Sequence, residues 1–267
     1  MTRLPYSHLN LLKPTEAEAA TCVKIVQSTT GLVARHLNKR FSLPISLFLS
    51  RRGFKPNNIT FFNMGVGLIS GLLAAFGTDS SILWGAFFFQ LASVLDGVDG
   101  EVAKLTDRAT QMGQWLDTLS DNLTLLVFLV GLTIGLYQTT HDFLILVAGE
   151  VALFSFFVLL AIMLLFLKKN TTSGSFVTYD REFVGKISQE KGFLPRFVKY
   201  GRYFLKKDSF ALLFLLLAAI GQPQLIIYAV ALGTTVGWLL MAYFNLKKGL
   251  AKTSVLSKVC LSRDEGN

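Results

Sequence analysis

The sequence predicts an all-α, polytopic membrane protein with six transmembrane helices and an N-terminal interfacial helix. Three observations predict it. Of 267 residues, 52% are hydrophobic and only 16% are charged, against about 25% charged in soluble domains. The apolar residues fall into blocks near the ~20 residues that cross a bilayer. All 26 Lys and Arg lie in the segments at alternate ends of those blocks. A β-barrel would instead show alternating strands of ~10 residues. The composition also excludes a disordered chain, a coiled coil and a secreted disulfide scaffold. Cys22 and Cys260 sit far apart near the two ends, a spacing that builds neither a zinc site nor a disulfide framework.

Three regions are expected: 1–58 cytoplasmic, 59–245 membrane-embedded, and 246–267 a polar cytoplasmic tail. Residues 1–58 contain no apolar h-region, so no signal peptide is expected. Within them Phe41, Ile45, Phe48 and Leu49 make the apolar face of a helix lying on the membrane, in a stretch split by Pro44. Lys55-Pro56-Asn57-Asn58 is a turn signal. The first span then runs from Ile59 to Gly77, with Gly65, Gly67 and Gly71 offering close helix contacts. Thr78 to Ser81 form a short loop. The second span starts near Ile82, is apolar to Leu95, and continues into Asp96, Asp99 and Glu101 without a breaker. The third begins near Trp115, carries Asp117 and Asp121, and is apolar from Leu123 to Leu136. The fourth runs from Phe143 to Leu167. A basic stretch from Lys168 to Lys207 follows. The last block, Phe210 to Phe244, is interrupted by Gly221-Gln222-Pro223-Gln224 and is read as a hairpin of two spans.

Charge supports this count. Residues 1–58 hold nine Lys and Arg, the loop after span two holds Lys104 and Arg108, the loop after span four holds ten, and the tail holds five. The three opposite loops hold none. Both termini are therefore expected in the cytoplasm, and a prokaryotic inner membrane is the expected location. The net charge of +9 is read as anchorage to anionic lipid, with no nucleic acid expected.

Acidic residues at membrane depth are costly and point to function. Asp96 and Asp99 are i, i+3 on one helix, and Asp117 and Asp121 are i, i+4 on the next. An antiparallel hairpin turning near residues 105–112 brings both pairs together. Four converging carboxylates repel one another unless cations sit among them, and hard oxygen ligands suit Mg²⁺, Mn²⁺ or Ca²⁺. Gly100 and Gly113 leave room for a ligand near the backbone. Ala103 extends that small surface, and Lys104 is placed to neutralise a pyrophosphate. His8, His36 and His141 have no i, i+4 partner, so metal binding by His is not expected.

Asp96-x2-Asp99-Gly100-x2-Ala103-Lys104-x8-Gly113-x3-Asp117-x3-Asp121 resembles the signature of the CDP-alcohol phosphotransferases, the CDP-alcohol phosphatidyltransferase family. It spans 26 residues with every spacing kept, and the resemblance extends over roughly residues 55–245. Lys104 departs from the usual Arg, keeping the charge without the bidentate fork. The resemblance implies that Asp96, Asp99 and Asp117 hold two divalent metals, Mg or Mn, with Asp121 completing the set and serving as the base toward the acceptor hydroxyl. It places Gly100, Ala103, Lys104, Thr110 and Gly113 against the CDP group. Pro56-Asn57-Asn58-Ile59-Thr60 is similar to the family's Pro-Asn-x-x-Thr element, which brings Asn57 and Thr60 to the nucleotide. Gln90-Leu-Ala-Ser and Asp-Gly-Val-Asp-Gly-Glu resemble the branch that makes di-myo-inositol phosphate phosphate from CDP-inositol and inositol phosphate. Lys206 and Lys207 lie where an acceptor phosphate would bind.

The expected activity is a metal-dependent membrane transferase that displaces CMP from a CDP-alcohol and transfers the phosphoryl-alcohol group to an acceptor hydroxyl. The expected partners are the CDP-linked donor, an alcohol or polyol-phosphate acceptor, membrane lipids and a second copy of the chain. The rival reading is an ion or solute transporter using intramembrane carboxylates. That reading calls for polar groups along the whole membrane depth, whereas the acids crowd at the cytoplasmic end.

Overall fold

The structure is a computed structural model that describes residues 6–170 and 206–243. The described residues are helical, with no strand among them. α1 (Glu16–Ser28) and α2 (Lys39–Arg51) belong to the N-terminal region, and a wide π-type turn, Ala34–Asn38, leads into α2. α3 (Pro56–Ala75), α4 (Asp79–Leu105), α5 (Gln111–Thr140) and α6 (Phe143–Asn170) follow as long apolar helices. α7 (Lys207–Ala219) and α8 (Gln224–Tyr243) are the last helices among the described residues. Five of these, α3 to α6 and α8, are long and apolar enough to cross a membrane. The chain is an integral membrane protein by that measure. α7 has 13 residues, about 20 Å of helix, which is short for a sixth span.

Local sequence explains the element boundaries and adjusts several of the expected ones. Pro56 is the first residue of α3, where its missing N–H has no cost, so the Lys55–Asn58 turn becomes the start of the helix. Thr78 caps α4 by accepting from the Ser81 N–H at 3.2 Å, with Asp79 in the first turn. The expected Thr78–Ser81 loop is therefore the first turn of α4. Thr110 caps α5 in the same way, accepting from the Gly113 N–H at 3.0 Å, and α5 starts four residues before Trp115. Pro44 lies inside α2 and does not split it. The α7–α8 connection turns through Gly221, at φ +72°.

Small residues bring α3 and α5 together. A Cβ at Gly67 would strike the Thr124 side chain, one at Gly71 the Val127 backbone, and one at Gly131 the Gly71 carbonyl. Without side chains these backbones pack in direct contact, as membrane helices do when no hydrophobic drive separates them from lipid. Gly65 takes no part, since a Cβ there would meet nothing. Gly77, at φ +74°, makes the tight turn from α3 to α4 with its Cα against the Gly135 carbonyl.

A second device aligns α7. Phe89 of α4, Phe128 of α5 and Phe214 of α7 stack on one another, with centroids 4.7 Å apart for Phe89–Phe128 and 5.7 Å for Phe89–Phe214. Phe210 stacks on both Phe89 and Phe214. Phe89, Phe128 and Phe214 are buried in the main apolar cluster, with Phe210 partly buried against it. This stack fixes the rotation of α7, and with it the direction of Lys207 one turn earlier.

The N-terminal region packs onto the C-terminal half of α4. Leu9, Cys22, Ile25, Leu43 and Leu47 form a small buried cluster. Cys22 is fully buried, and desolvation pushes its thiol up to about 11, so it is an inert core residue. Phe41, Ile45 and Phe48 point away from the protein and stay exposed, as a helix lying on a bilayer surface requires.

Candidate metal and nucleotide site

The site is built where the C-terminal end of α4 meets the N-terminal end of α5. α4 stays helical through Asp96-Gly97-Val98-Asp99-Gly100 because Val98 and Val102 are wholly buried on its back, against Ile59. Asp107, at φ +52°, turns the chain toward Thr110. The expected hairpin forms, and α5 runs back antiparallel with Asp117 and Asp121 on one face.

Asp96, Asp117 and Asp121 converge. Each offers a carboxylate oxygen, and these oxygens lie within 4.8 Å of one another. Lys207 reaches in from α7 and pairs with Asp96, Nζ to Oδ1 at 3.3 Å, and with Asp121. Asp208 explains how Lys207 is aimed: its Oδ2 accepts the Ala34 N–H at 2.7 Å, tying the start of α7 to the wide turn before α2. Lys206 points elsewhere, donating to the Thr30 hydroxyl. Of the two lysines expected at the acceptor, Lys207 is thus the one at the acids.

Asp99 is 5% exposed and stands beside this group. Its Oδ2 accepts from the Thr60 hydroxyl at 2.5 Å, and its Oδ1 from the Gly100 N–H at 2.6 Å. Thr60, read from sequence as a nucleotide contact, is buried and orients Asp99. Asn57 is exposed close by, with its Oδ1 3.5 Å from where a Gly113 Cβ would sit. Gly100 faces open space, where a Cβ would touch nothing. Ala103 is half-buried, and Lys104 and Thr110 are exposed. These residues form an accessible rim above the carboxylates.

Three carboxylates with one ammonium leave an excess of negative charge in a partly buried place. One Asp117 oxygen, Oδ1, is buried with no hydrogen-bond partner. A buried carboxylate oxygen without a donor is an unsatisfied anionic ligand, and oxygens this close suit a hard divalent cation. The residues fit the expected metals.

Sequence reasoning gave no role to Glu101, although it lies inside the signature. Its side chain is 2% exposed and bound to Lys39, Ser42 and Ser46 of α2. The signal is Lys39-x2-Ser42-x3-Ser46, a polar stripe along one face of α2. Asn63, Ser120 and Thr124 also line the α3–α5 contact below Asp117, each buried with an oxygen lacking a partner.

The CDP-alcohol phosphatidyltransferase profile matches residues 54–241, which covers the whole carboxylate hairpin, its rim and α7. The chain belongs to the CDP-alcohol phosphatidyltransferase family. A protein named bifunctional IPC transferase and DIPP synthase from Aquifex aeolicus is 37% identical over 114 residues, 43% of this chain and 25% of that protein. One of the same name from Thermococcus kodakarensis is 36% identical over 91 residues, 34% of this chain and 20% of that protein. A phosphatidylinositol phosphate synthase from Mycobacteroides abscessus is 28% identical over 94 residues, 35% of this chain and 42% of that protein. The matched segments span less than half the length of each of these relatives. Residues 171–205 of the basic stretch, Cys260 and the 246–267 tail lie outside the described residues.

Proposed function

We propose that this member of the family transfers a phosphoryl-alcohol group from a CDP-alcohol to the hydroxyl of a phosphorylated polyol, releasing CMP. The convergence of Asp96, Asp117 and Asp121 within 4.8 Å beside an open rim carries the reading. Asp96, Asp117 and Asp121, with Asp99 beside them, would hold a pair of Mg²⁺ or Mn²⁺ ions. Such ions neutralise the pyrophosphate and the departing CMP.

The chain's own residues supply the rest. Gly100, Ala103 and Gly113 leave a flat surface for the cytidine diphosphate. Asn57, Thr110 and Lys104 border it, and the Lys104 ammonium meets the diphosphate charge. Asp121 takes the proton of the acceptor hydroxyl as its oxygen bonds to phosphorus and the bond to CMP breaks. Lys207, already at Asp121, would meet the acceptor phosphate and bring its hydroxyl to that base, with Lys206 at the outer side. The names of the relatives support an inositol-type acceptor. The same reading puts both termini in the cytoplasm of a prokaryotic inner membrane and the chain in a homodimer.

A transporter is less well supported. Phe128, Leu129 and Leu132 fill the middle of α5 with buried apolar packing.

The test is direct. Purified protein is incubated with a panel of CDP-alcohols and polyol phosphates plus Mg²⁺ or Mn²⁺, with products identified by mass. CMP release with a matching phosphodiester is expected. Absence of CMP release across the panel overturns the reading.

A further inference from the structure

Glu101 sits on the face of α4 turned away from the carboxylate cluster, buried and bound by three side chains. Lys39 Nζ lies 2.5 Å from Oε1, Ser42 Oγ donates to Oε1 at 2.7 Å, and Ser46 Oγ donates to Oε2 at 2.6 Å. Ser46 Oγ is also 3.5 Å from the Val98 carbonyl. Every donor comes from α2. A carboxylate with 2% exposure would be strongly destabilising alone, and it is tolerated because one ammonium and two hydroxyls surround it.

The two glycines of Asp96-Gly97-Val98-Asp99-Gly100-Glu101 then have different tasks. Gly100 opens the donor side. Gly97, one turn before Glu101 on the same face, makes room for the latch: a Cβ there would sit 3.1 Å from Lys39 Nζ and 3.4 Å from Glu101 Oε1. α4 ends at Leu105, and its last two turns carry Gly100, Ala103 and Lys104. Helix ends fray unless something ties them down. Here the tie is α2, whose outer face presents Phe41, Ile45 and Phe48.

The geometry points to Glu101 as a positioning residue for donor binding: it locks the last turn of α4 to the interfacial helix α2 through Lys39, Ser42 and Ser46. The inference rests on the proposed CDP-alcohol chemistry for its kinetic readout, and has a second readout that does not.

The full-length protein is compared with Glu101→Gln, Lys39→Met and the double variant, each in the same detergent. Glu101→Gln keeps shape and removes the charge. We expect its donor KM to rise about tenfold, the scale of one lost charge-assisted contact, with kcat within about twofold. Lys39→Met strands a buried carboxylate and should do more harm, and the double variant should recover toward Glu101→Gln, as removing both charges spares the unpaired one. Without any substrate, amide hydrogen exchange should speed up in residues 99–105 and in α2 of Glu101→Gln, leaving α5 unchanged. A lower melting temperature with donor KM and exchange at 99–105 both unaltered would make Glu101 a merely structural residue and overturn the inference. Wild-type protein that releases no CMP sinks the proposed function, while the exchange measurement still judges the latch.

Discussion

Asp121 is where binding and chemistry are separable by a single atom change. It lies one turn beyond Asp117 on the same face and is paired with Lys207, so in the proposed function it would border both the metal ligands and the acceptor phosphate. Asp121→Asn should leave CDP-donor binding nearly intact and lower turnover by at least ~10²-fold, the usual share of a general base. Parallel loss of donor affinity, measured by calorimetry, would instead make Asp121 chiefly a metal ligand. Asp117 tests the metals themselves. Its unpartnered buried oxygen makes Asp117→Asn a poor ligand in the same volume, so activity should vanish, and in the unaltered protein chelator should remove activity and Mg²⁺ or Mn²⁺ restore it. Turnover that persists in chelator would refute this. Lys104 is exposed at the rim; Lys104→Ala should raise the apparent donor barrier by about 1.5–3 kcal/mol, the range for hydrogen bonds to charged groups, and Lys104→Arg should remain active. An alanine variant with unchanged kcat/KM for donor would place the side chain away from the diphosphate.

Helices meet here through what is missing from their surfaces. Gly67, Gly71 and Gly131 let α3 and α5 touch backbone to backbone, and α5 could not otherwise present Asp117 and Asp121 so close to α4. Gly71→Val would force two backbones apart. Overpacking of this kind costs about 1–3 kcal/mol, so the detergent-solubilised variant should melt earlier and lose metal-dependent turnover in step. Gly65→Ala, made at a position where a Cβ meets nothing, serves as the control and should melt like the parent. Equal melting of the Gly71 variant and the parent would show that the α3–α5 contact is looser than the packing indicates. The Phe89–Phe128–Phe214 stack works at the same scale. It joins three helices by large flat surfaces and sets which way α7 presents its first residue.

Across the whole molecule, charge and hydropathy make a topological statement that labelling can check. Arg108 lies in the α4–α5 turn and Asp142 in the α5–α6 turn, at opposite ends of α5. In a cysteine-free background, Arg108→Cys should react with an impermeant thiol reagent in inverted vesicles only, and Asp142→Cys in right-side-out vesicles only. Both positions labelling from one side would contradict the alternation of basic loops.

The membrane class, the long helices and the two carboxylate pairs were legible in the sequence because they depend on local properties. Hydropathy over a span, helical spacing and a turn between two helices all act within some thirty residues of chain, and the Asp96 to Asp121 signature lies inside that range. Tertiary structure alone decided which groups meet across helices. Asp96, Asp117 and Asp121 close on one another while Asp99 is turned to Thr60. Lys207, and not Lys206, enters the acids because an aromatic stack and the Asp208 tether set the rotation of α7. Glu101 lies inside the signature stretch, and only packing shows that it faces the opposite way, toward Lys39, Ser42 and Ser46. The physical reason is that a helix period tells which residues share a face, whereas the partner for each face is chosen by packing between segments far apart in the chain.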